Sequence, residues 1–151
     1  MVMEDLIEVT VRESIPDLAT GQYKVVLHSC AIDRALSIWV GHCEGSAIAL
    51  GLESAWTPRP LTHDLLAQVI KSLGATVKRV VITDVRENTF LAELCLVKDD
   101  REYMVDSRPS DAIALAIRVG TPIFVSNHLA EKMADELDDL FQQLEPKDTV
   151  H

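Results

Sequence analysis

Aromatic side chains are scarce, at 5% of 151 residues, and no segment interleaves them with lysine and arginine as a base-stacking nucleic-acid module would. Positive charge is short as well: 14 Lys and Arg stand against 24 Asp and Glu, for a net charge of −10. That excludes a protein that holds nucleic acid by a basic stripe. Cysteine is limited to Cys30, Cys43 and Cys95, with no CxxC pair and no metal-ligand spacing. An odd, scattered set predicts reduced, buried thiols rather than a disulfide framework, and a Cys30–Cys43 bridge is not expected without an oxidising compartment. No apolar run has the length of a membrane span, and Met1-Val2-Met3-Glu4-Asp5 is acidic where a secretory signal is basic. The expectation is a cytoplasmic protein without membrane contact. Gly-rich phosphate loops, HExxH and GxSxG are all missing.

What is present is an ordinary globular balance, 48% apolar and 25% charged, in a length that suits one domain around one core. The acidity is uneven. From Leu129 to His151 seven acids face two lysines, so half of the net charge sits in this last segment. Ile7, Val9 and Val11 alternate with polar neighbours as in a half-buried strand, and Pro16 and Gly21 punctuate a turn. Tyr23 to Ala31 and Ala35 to Gly41 read as strands joined at Asp33-Arg34. A helix begins near Cys43 and Glu44 and is closed off by Pro58 and Pro60. Thr62 is an N-cap candidate for a helix carried by Leu65, Leu66, Val69, Ile70 and Leu73, with Gly74 at its end. Val77 to Val85 and Thr89 to Val97 form a hairpin around Arg86-Glu87-Asn88. Glu102 to Asp106 is a short strand, Pro109 to Val119 a helix stopped by Gly120, and Thr121 to Val125 a further strand. Ser126 or Asn127 is expected to cap an amphipathic helix reaching Leu144, with Asp135, Glu136, Asp138 and Asp139 in solvent and Leu137, Leu140, Phe141 and Leu144 packed. The sum is an α+β domain: a mixed, largely antiparallel sheet with about four helices. Residues 1–128 form its body and residues 129–151 an acidic helix and tail of the same unit.

One pattern recurs at a constant offset. Ile38-Trp39-Val40 leading to Ser46-Ala47-Ile48-Ala49-Leu50 returns as Tyr103-Met104-Val105 leading to Asp111-Ala112-Ile113-Ala114-Leu115. Each copy reads as strand, polar junction and alanine-rich helix, and small residues suit a helix lying close to its neighbours. Chance resemblance of two Ala/Ile/Leu helices stays open.

The chemistry-bearing residues gather at such junctions: Glu44; Arg59, His63 and Asp64; Asp106, Arg108 and Asp111. Phosphodiester hydrolysis needs an activated water, charge on the phosphate and help for the leaving oxygen. Carboxylates with a hard cation supply the first two, arginine grips phosphate, a helix N-terminus offers N–H groups, and histidine moves a proton. Structural readings stand beside each. Asp111 can serve the helix dipole, Ser110 can cap, Arg108 can pair with Asp106, and His63 can be an exposed first-turn residue. His28, His42 and His128 are not selected as ligands.

Pro58-Arg59-Pro60-Leu61-Thr62-His63-Asp64-Leu65-Leu66 and Asp106-Ser107-Arg108-Pro109-Ser110-Asp111-Ala112-Ile113-Ala114-Leu115-Ala116 resemble the two hallmark motifs of the bifunctional nuclease family. Ile38 to Gly41 with Glu44 and Ala47 to Leu50, Asn88-Thr89-Phe90 with Ala92, and Pro122 to Val125 fit the same order, so the likeness covers about Tyr23 to Glu131. Departures are Leu36-Ser37, where the pattern has Leu-Pro, and a short loop from Ala31 to Arg34. The resemblance implies a non-specific nuclease acting on DNA and RNA and a homo-oligomer, with a dimer favoured; the carboxylate chemistry above adds Mg²⁺ or Mn²⁺ as the expected cofactor. On that basis Glu44, His63, Asp64, Asp106 and Asp111 are the catalytic candidates. Glu44, Asp106 and Asp111 would hold metal or water, Arg59 and Arg108 phosphate, and His63 a proton. Two rivals stand beside it: a non-catalytic oligomeric scaffold or regulatory binding protein whose motif residues are structural, favoured by the acidity and the lack of a stacking platform, and a small-molecule phosphoesterase that uses the same residues.

Overall fold

The computed structural model describes residues 5–135. Along them run β1 (Leu6–Pro16), β2 (Tyr23–Ser29), β3 (Arg34–Val40), α1 (His42–Leu52), α2 (Thr62–Ser72), β4 (Thr76–Arg86), β5 (Thr89–Lys98), β6 (Arg101–Ser107), α3 (Pro109–Val119), β7 (Ile123–Ser126), α4 (Asn127–Ala130) and β8 (Ala134–Asp135). Two tight turns set the register of β4, β5 and β6. Glu87 and Asn88 lie at φ 51° and 63°, and Asp99 and Asp100 at 52° and 62°. A two-residue loop with both residues left-handed matches the twist of its strands, and Asn and Asp tolerate that region best. The first turn pairs Arg86 with Thr89; the second pairs Lys98 with Arg101 and carries β6 back until Ser107 faces Ala92.

The sheet has eight strands in the order β6-β5-β4-β7-β1-β2-β3-β8. Every pair is antiparallel except β4 with β7, as expected for a largely antiparallel mixed sheet. Helix α3 lies against β4 and β5, with α1 and α2 packed on its flanks. Ala112, Ile113, Ala114, Leu115 and Ala116 are all buried. The small side chains let α3 occupy the middle of the helical layer, and one continuous core joins it to the central strands. The recurring pattern is therefore structural: β3–α1 and β6–α3 are both strand–helix units, and their helices pack together. It holds better in the helices than in the strands. Ile38 and Val40 are buried in β3, whereas Tyr103, Met104 and Val105 are exposed in the edge strand β6.

Three expectations need correction. Leu61, not Thr62, is the N-cap of α2, and its N–H is satisfied by the Asp64 carboxylate at 2.9 Å. The helix opened by Ser126 lasts only from Asn127 to Ala130. Ser126 Oγ accepts the Leu129 N–H at 3.1 Å, but Leu129, Ala130 and Met133 then sink into the core and draw the chain to β3, where Ala134 pairs with Ala35. Burial of three successive apolar anchors outweighs continued helical periodicity. The expected packing of Leu137, Leu140, Phe141 and Leu144 falls on residues 136–151, outside the described residues. Of the three thiols only Cys95 is buried; Cys30 and Cys43 are free and exposed.

Helix α1 crosses β2 at Gly45, where an added Cβ would overlap the Cβ and ring of Tyr23. Gly45→Ala is expected to cost on the order of 1–3 kcal/mol through overpacking. Urea denaturation should show a lower midpoint at unchanged slope, and an unchanged midpoint would refute the close approach.

Candidate active site

The first turns of α1, α2 and α3 open onto one cleft of about 700 Å³, lined by His42, Cys43, Glu44, Leu61, Thr62, His63, Arg108 and Asp111 among others. Each helix carries an acid at its third position: Glu44, Asp64 and Asp111. Free N–H groups and the positive end of the helix dipole occur at all three starts, so this part of an acidic chain offers local attraction to an anion.

Helix α3 positions the central residues. Arg108 is its N-cap, in extended conformation at φ −71° and ψ 145°, and Pro109 fixes the first helical residue. Arg108 and Asp111 thus face one another across the first turn, and Arg108 Nε donates to Asp111 Oδ2 at 3.1 Å. The other Asp111 oxygen meets His63 Nε2 at 2.9 Å, and Arg108 Nη1 donates to Glu44 Oε1 at 3.3 Å. A continuous chain results: Glu44, Arg108, Asp111, His63. Its bonded pairs are 3, 48 and 64 positions apart in sequence, and all four side chains line the cleft. His63 is buried at 7% exposure, while the Arg108 side chain is 67% exposed. Asp111 first, and Glu44 second, raise the Arg108 pKa above its ordinary value. Gly41 makes room for the carboxylate, since a Cβ there would come within 2.5 Å of Glu44 Oε2.

The remaining candidates stand elsewhere. Asp64 faces away into a smaller hollow, where Arg118 Nε donates to its Oδ1 at 2.7 Å. Arg118 also donates to the carbonyls of Ala114 and Ala47, at 3.0 and 2.9 Å, and so buckles α2 to α3 and α1. Arg59 lines that hollow rather than the cleft. Asp106 is exposed on β6, opposite Glu93, and pairs with no arginine in the cleft. Arg118 was missed by sequence reasoning, although it sits two turns beyond Asp111 on the same face of α3. His42, set aside in the sequence, does line the cleft and packs edge-on against Tyr23 with ring centroids 5.6 Å apart.

The cation expected from Glu44, Asp106 and Asp111 finds no such donor set. Asp106 lies apart, both Asp111 oxygens and Glu44 Oε1 are engaged, and no group of three His, Cys, Asp or Glu side chains is placed to hold a metal among the described residues. The described residues thus hold no preformed cluster of three carboxylate, imidazole or thiolate ligands for a divalent ion.

A family model described as the bifunctional nuclease domain matches residues 25–138. The chain belongs to this family. An uncharacterized protein of Mycobacterium tuberculosis is 50% identical over 105 residues, covering 70% of this chain and 62% of that protein. Bifunctional nuclease 2 of Oryza sativa subsp. japonica is 39% identical over 120 residues, 78% of this chain and 37% of its own length. Bifunctional nuclease 1 of Oryza sativa subsp. indica is 28% identical over 101 residues, 65% of this chain and 30% of its own. The chain thus spans less than two thirds of the length of these relatives. Among the described residues no helix is long and apolar enough to cross a membrane. The family match includes the whole cleft, from His42 to Asp111.

The Asp64 buckle predicts a pH signature. The Leu61 N–H, and then the Arg118 guanidinium, hold the Asp64 carboxyl below its ordinary pKa. Its stabilisation is therefore complete above the unfolded value of about 3.9 and is lost as pH falls through the lower folded value. Asp64 is about one third exposed, which trims the effect. Asp64→Asn should cost on the order of 1–2 kcal/mol at pH 7, with the gap to wild type closing below about pH 4. Urea titrations at several pH values would read it; a gap that stays constant down to pH 3 would contradict the assignment.

Proposed function

We propose that the chain hydrolyses phosphodiester bonds of DNA and RNA in the cleft at the three helix starts. The observation that carries this reading is the Glu44–Arg108–Asp111–His63 chain, set where oriented N–H groups already favour an anion. Arg108 keeps donors beyond the two used by Asp111 and Glu44, and its exposure lets them reach a phosphate. Asp111 orients His63 through Nε2 and leaves Nδ1 to take a proton. A site that cuts DNA cannot use a ribose 2′-hydroxyl as nucleophile, so water attacks. Its oxygen bonds to phosphorus as the P–O ester bond breaks, His63 accepts the water proton, and the leaving alkoxide is protonated from His63 or solvent. Arg108 and the helix N–H groups balance the charge of the pentavalent phosphate. Glu44 holds Arg108 from the opposite side.

A cytoplasmic location and a homo-oligomer, with a dimer favoured, are part of the same proposal. Leu65 and Val69 on α2 and Leu73 at its C-cap lie at four-residue spacing and are 56%, 45% and 64% exposed, an apolar stripe of the kind that subunits cover.

Purified protein incubated with plasmid and with RNA is expected to cleave both, with a rate that survives EDTA. Arg108→Ala and Asp111→Asn should each lose at least ~100-fold while still folding to a cooperative thermal transition. Equal trace cleavage by wild type and variants would reveal a contaminant and favour the scaffold reading; turnover of p-nitrophenyl phosphate without nucleic-acid cleavage would favour the phosphoesterase. Val69→Asp should shift sedimentation toward a smaller species, and an unshifted profile would remove α2 as the subunit contact.

A further inference from the structure

A second, smaller cleft of about 350 Å³ adjoins the first and shares Glu44 and Arg108 as its wall. Beyond that wall it is lined by Trp39, Asn88, Phe90 and Ser110 among others. We propose that this cleft is a nucleobase subsite: Trp39 stacks on one unpaired base of a single strand while the adjoining phosphodiester lies on Arg108. The proposal rests on the hydrolase reading of the neighbouring cleft and names the substrate form it would prefer.

Trp39 is the first observation. Ile38 and Val40, on either side, are 3% and 8% exposed, whereas Trp39 is 48% exposed, so strand alternation turns the indole outward near the end of β3. The chain has only seven aromatic residues, and two of them, Trp39 and Phe90, border this one small hollow. The second observation is the open flank of β3. β8 pairs only with Arg34 and Ala35, so the backbone edge beside Trp39 carries no neighbouring strand among the described residues, and the cleft runs along it. Third, Lys24 stands directly across β2 from Trp39, on the same face, and has no ion pair among the described residues. An exposed aromatic residue thus has one cation, Lys24, across the strand pair and shares the lining of the hollow with a second, Arg108.

This arrangement selects chemistry. A base inside a duplex has both faces covered and cannot stack on an indole; an unpaired base can. Stacking accepts any base, because each has a π-face, which suits a substrate read without sequence. It also answers the charge problem. A protein of net charge −10 gains little from long-range attraction to a polyanion, so affinity must come from contact with the base and a few phosphates. With Lys24 and Arg108 as the cations, log Kd should vary with log salt by a slope of only about 1.4.

The test uses the full chain carrying Trp56→Phe, which leaves Trp39 as the one indole; Trp56 is 85% exposed and lines neither cleft. A phosphorothioate oligothymidylate should quench the fluorescence saturably, while an abasic strand of equal length and a blunt duplex should bind at least ~10-fold more weakly. By anisotropy of a labelled oligothymidylate, Trp39→Ala should raise Kd roughly 5- to 100-fold and Trp39→Phe should recover most of the loss. Equal binding of abasic and base-bearing strands, or an unchanged Kd in Trp39→Ala, overturns the subsite. If that happens in a protein that cleaves plasmid and RNA, the hydrolase reading survives. Base-dependent quenching in a protein that cleaves nothing has the opposite consequence: the hydrolase reading falls and a single-strand binding site remains.

Discussion

Asp111 holds two partners at once, and the architecture of the cleft follows from that. Its oxygens bind His63 on α2 and Arg108 at the start of its own helix, and Arg108 passes the connection on to Glu44 on α1. Three helix starts separated in sequence are thereby fixed relative to one another by a single carboxylate. The Asp64–Arg118 pair does the corresponding work one layer back, where a guanidinium with one carboxylate and two carbonyl partners ties the same three helices. The front network is accessible and able to exchange partners for a ligand. The rear one is enclosed around an arginine side chain that is 10% exposed. Rigid support behind adaptable contacts is what a site needs if its groups are to stay aligned during a reaction.

The proposed reaction asks an acidic protein to receive a phosphate, and local electrostatics is what makes that reading consistent. Bulk charge governs distant encounter, but partial charges at helix starts act over the first turn alone. Glu44, Asp64 and Asp111 would cancel that local field if they were free. Instead Glu44 and Asp111 share the Arg108 cation, and Asp64 is neutralised by Arg118 and the Leu61 N–H. Acid-rich helix starts and an anion-accepting hollow are compatible because the acids already have partners.

Much of the fold was legible because local chemistry and global packing agree. Pro109 and Gly120 mark α3, and the left-handed Gly120 at φ 71° ends it as such a residue should. Glu87-Asn88 marks the hairpin, and the alternating strands met no competing signal. The reading failed where tertiary burial outbid local period, as at Leu129 to Met133. Within the site, sequence proximity misled. Asp106 is five residues from Asp111, yet the change from strand to helix between them sends the two carboxylates apart. His63 and Asp111 are 48 residues apart and touch. Arg118 passed unnoticed because an arginine in the last turn of a helix already has an ordinary explanation at the helix C-terminus. Trp39 passed as one member of a repeated apolar triplet; only the buried neighbours on both sides reveal that it alone faces out.

Strand β6 has a consequence of another kind. It closes the sheet on one side, and Tyr103, Met104 and Val105 at its centre are each at least 40% exposed. Such an edge is a template on which foreign strands can grow. Arg101, Glu102 and Asp106 flank the apolar centre as gatekeepers, and the Lys78–Glu102 bond at 2.7 Å, reaching across β5, holds one of those charges in place. Solubility at this margin therefore depends on a handful of polar atoms remote from the cleft, and their loss would convert a guarded sheet margin into the seed of a fibre.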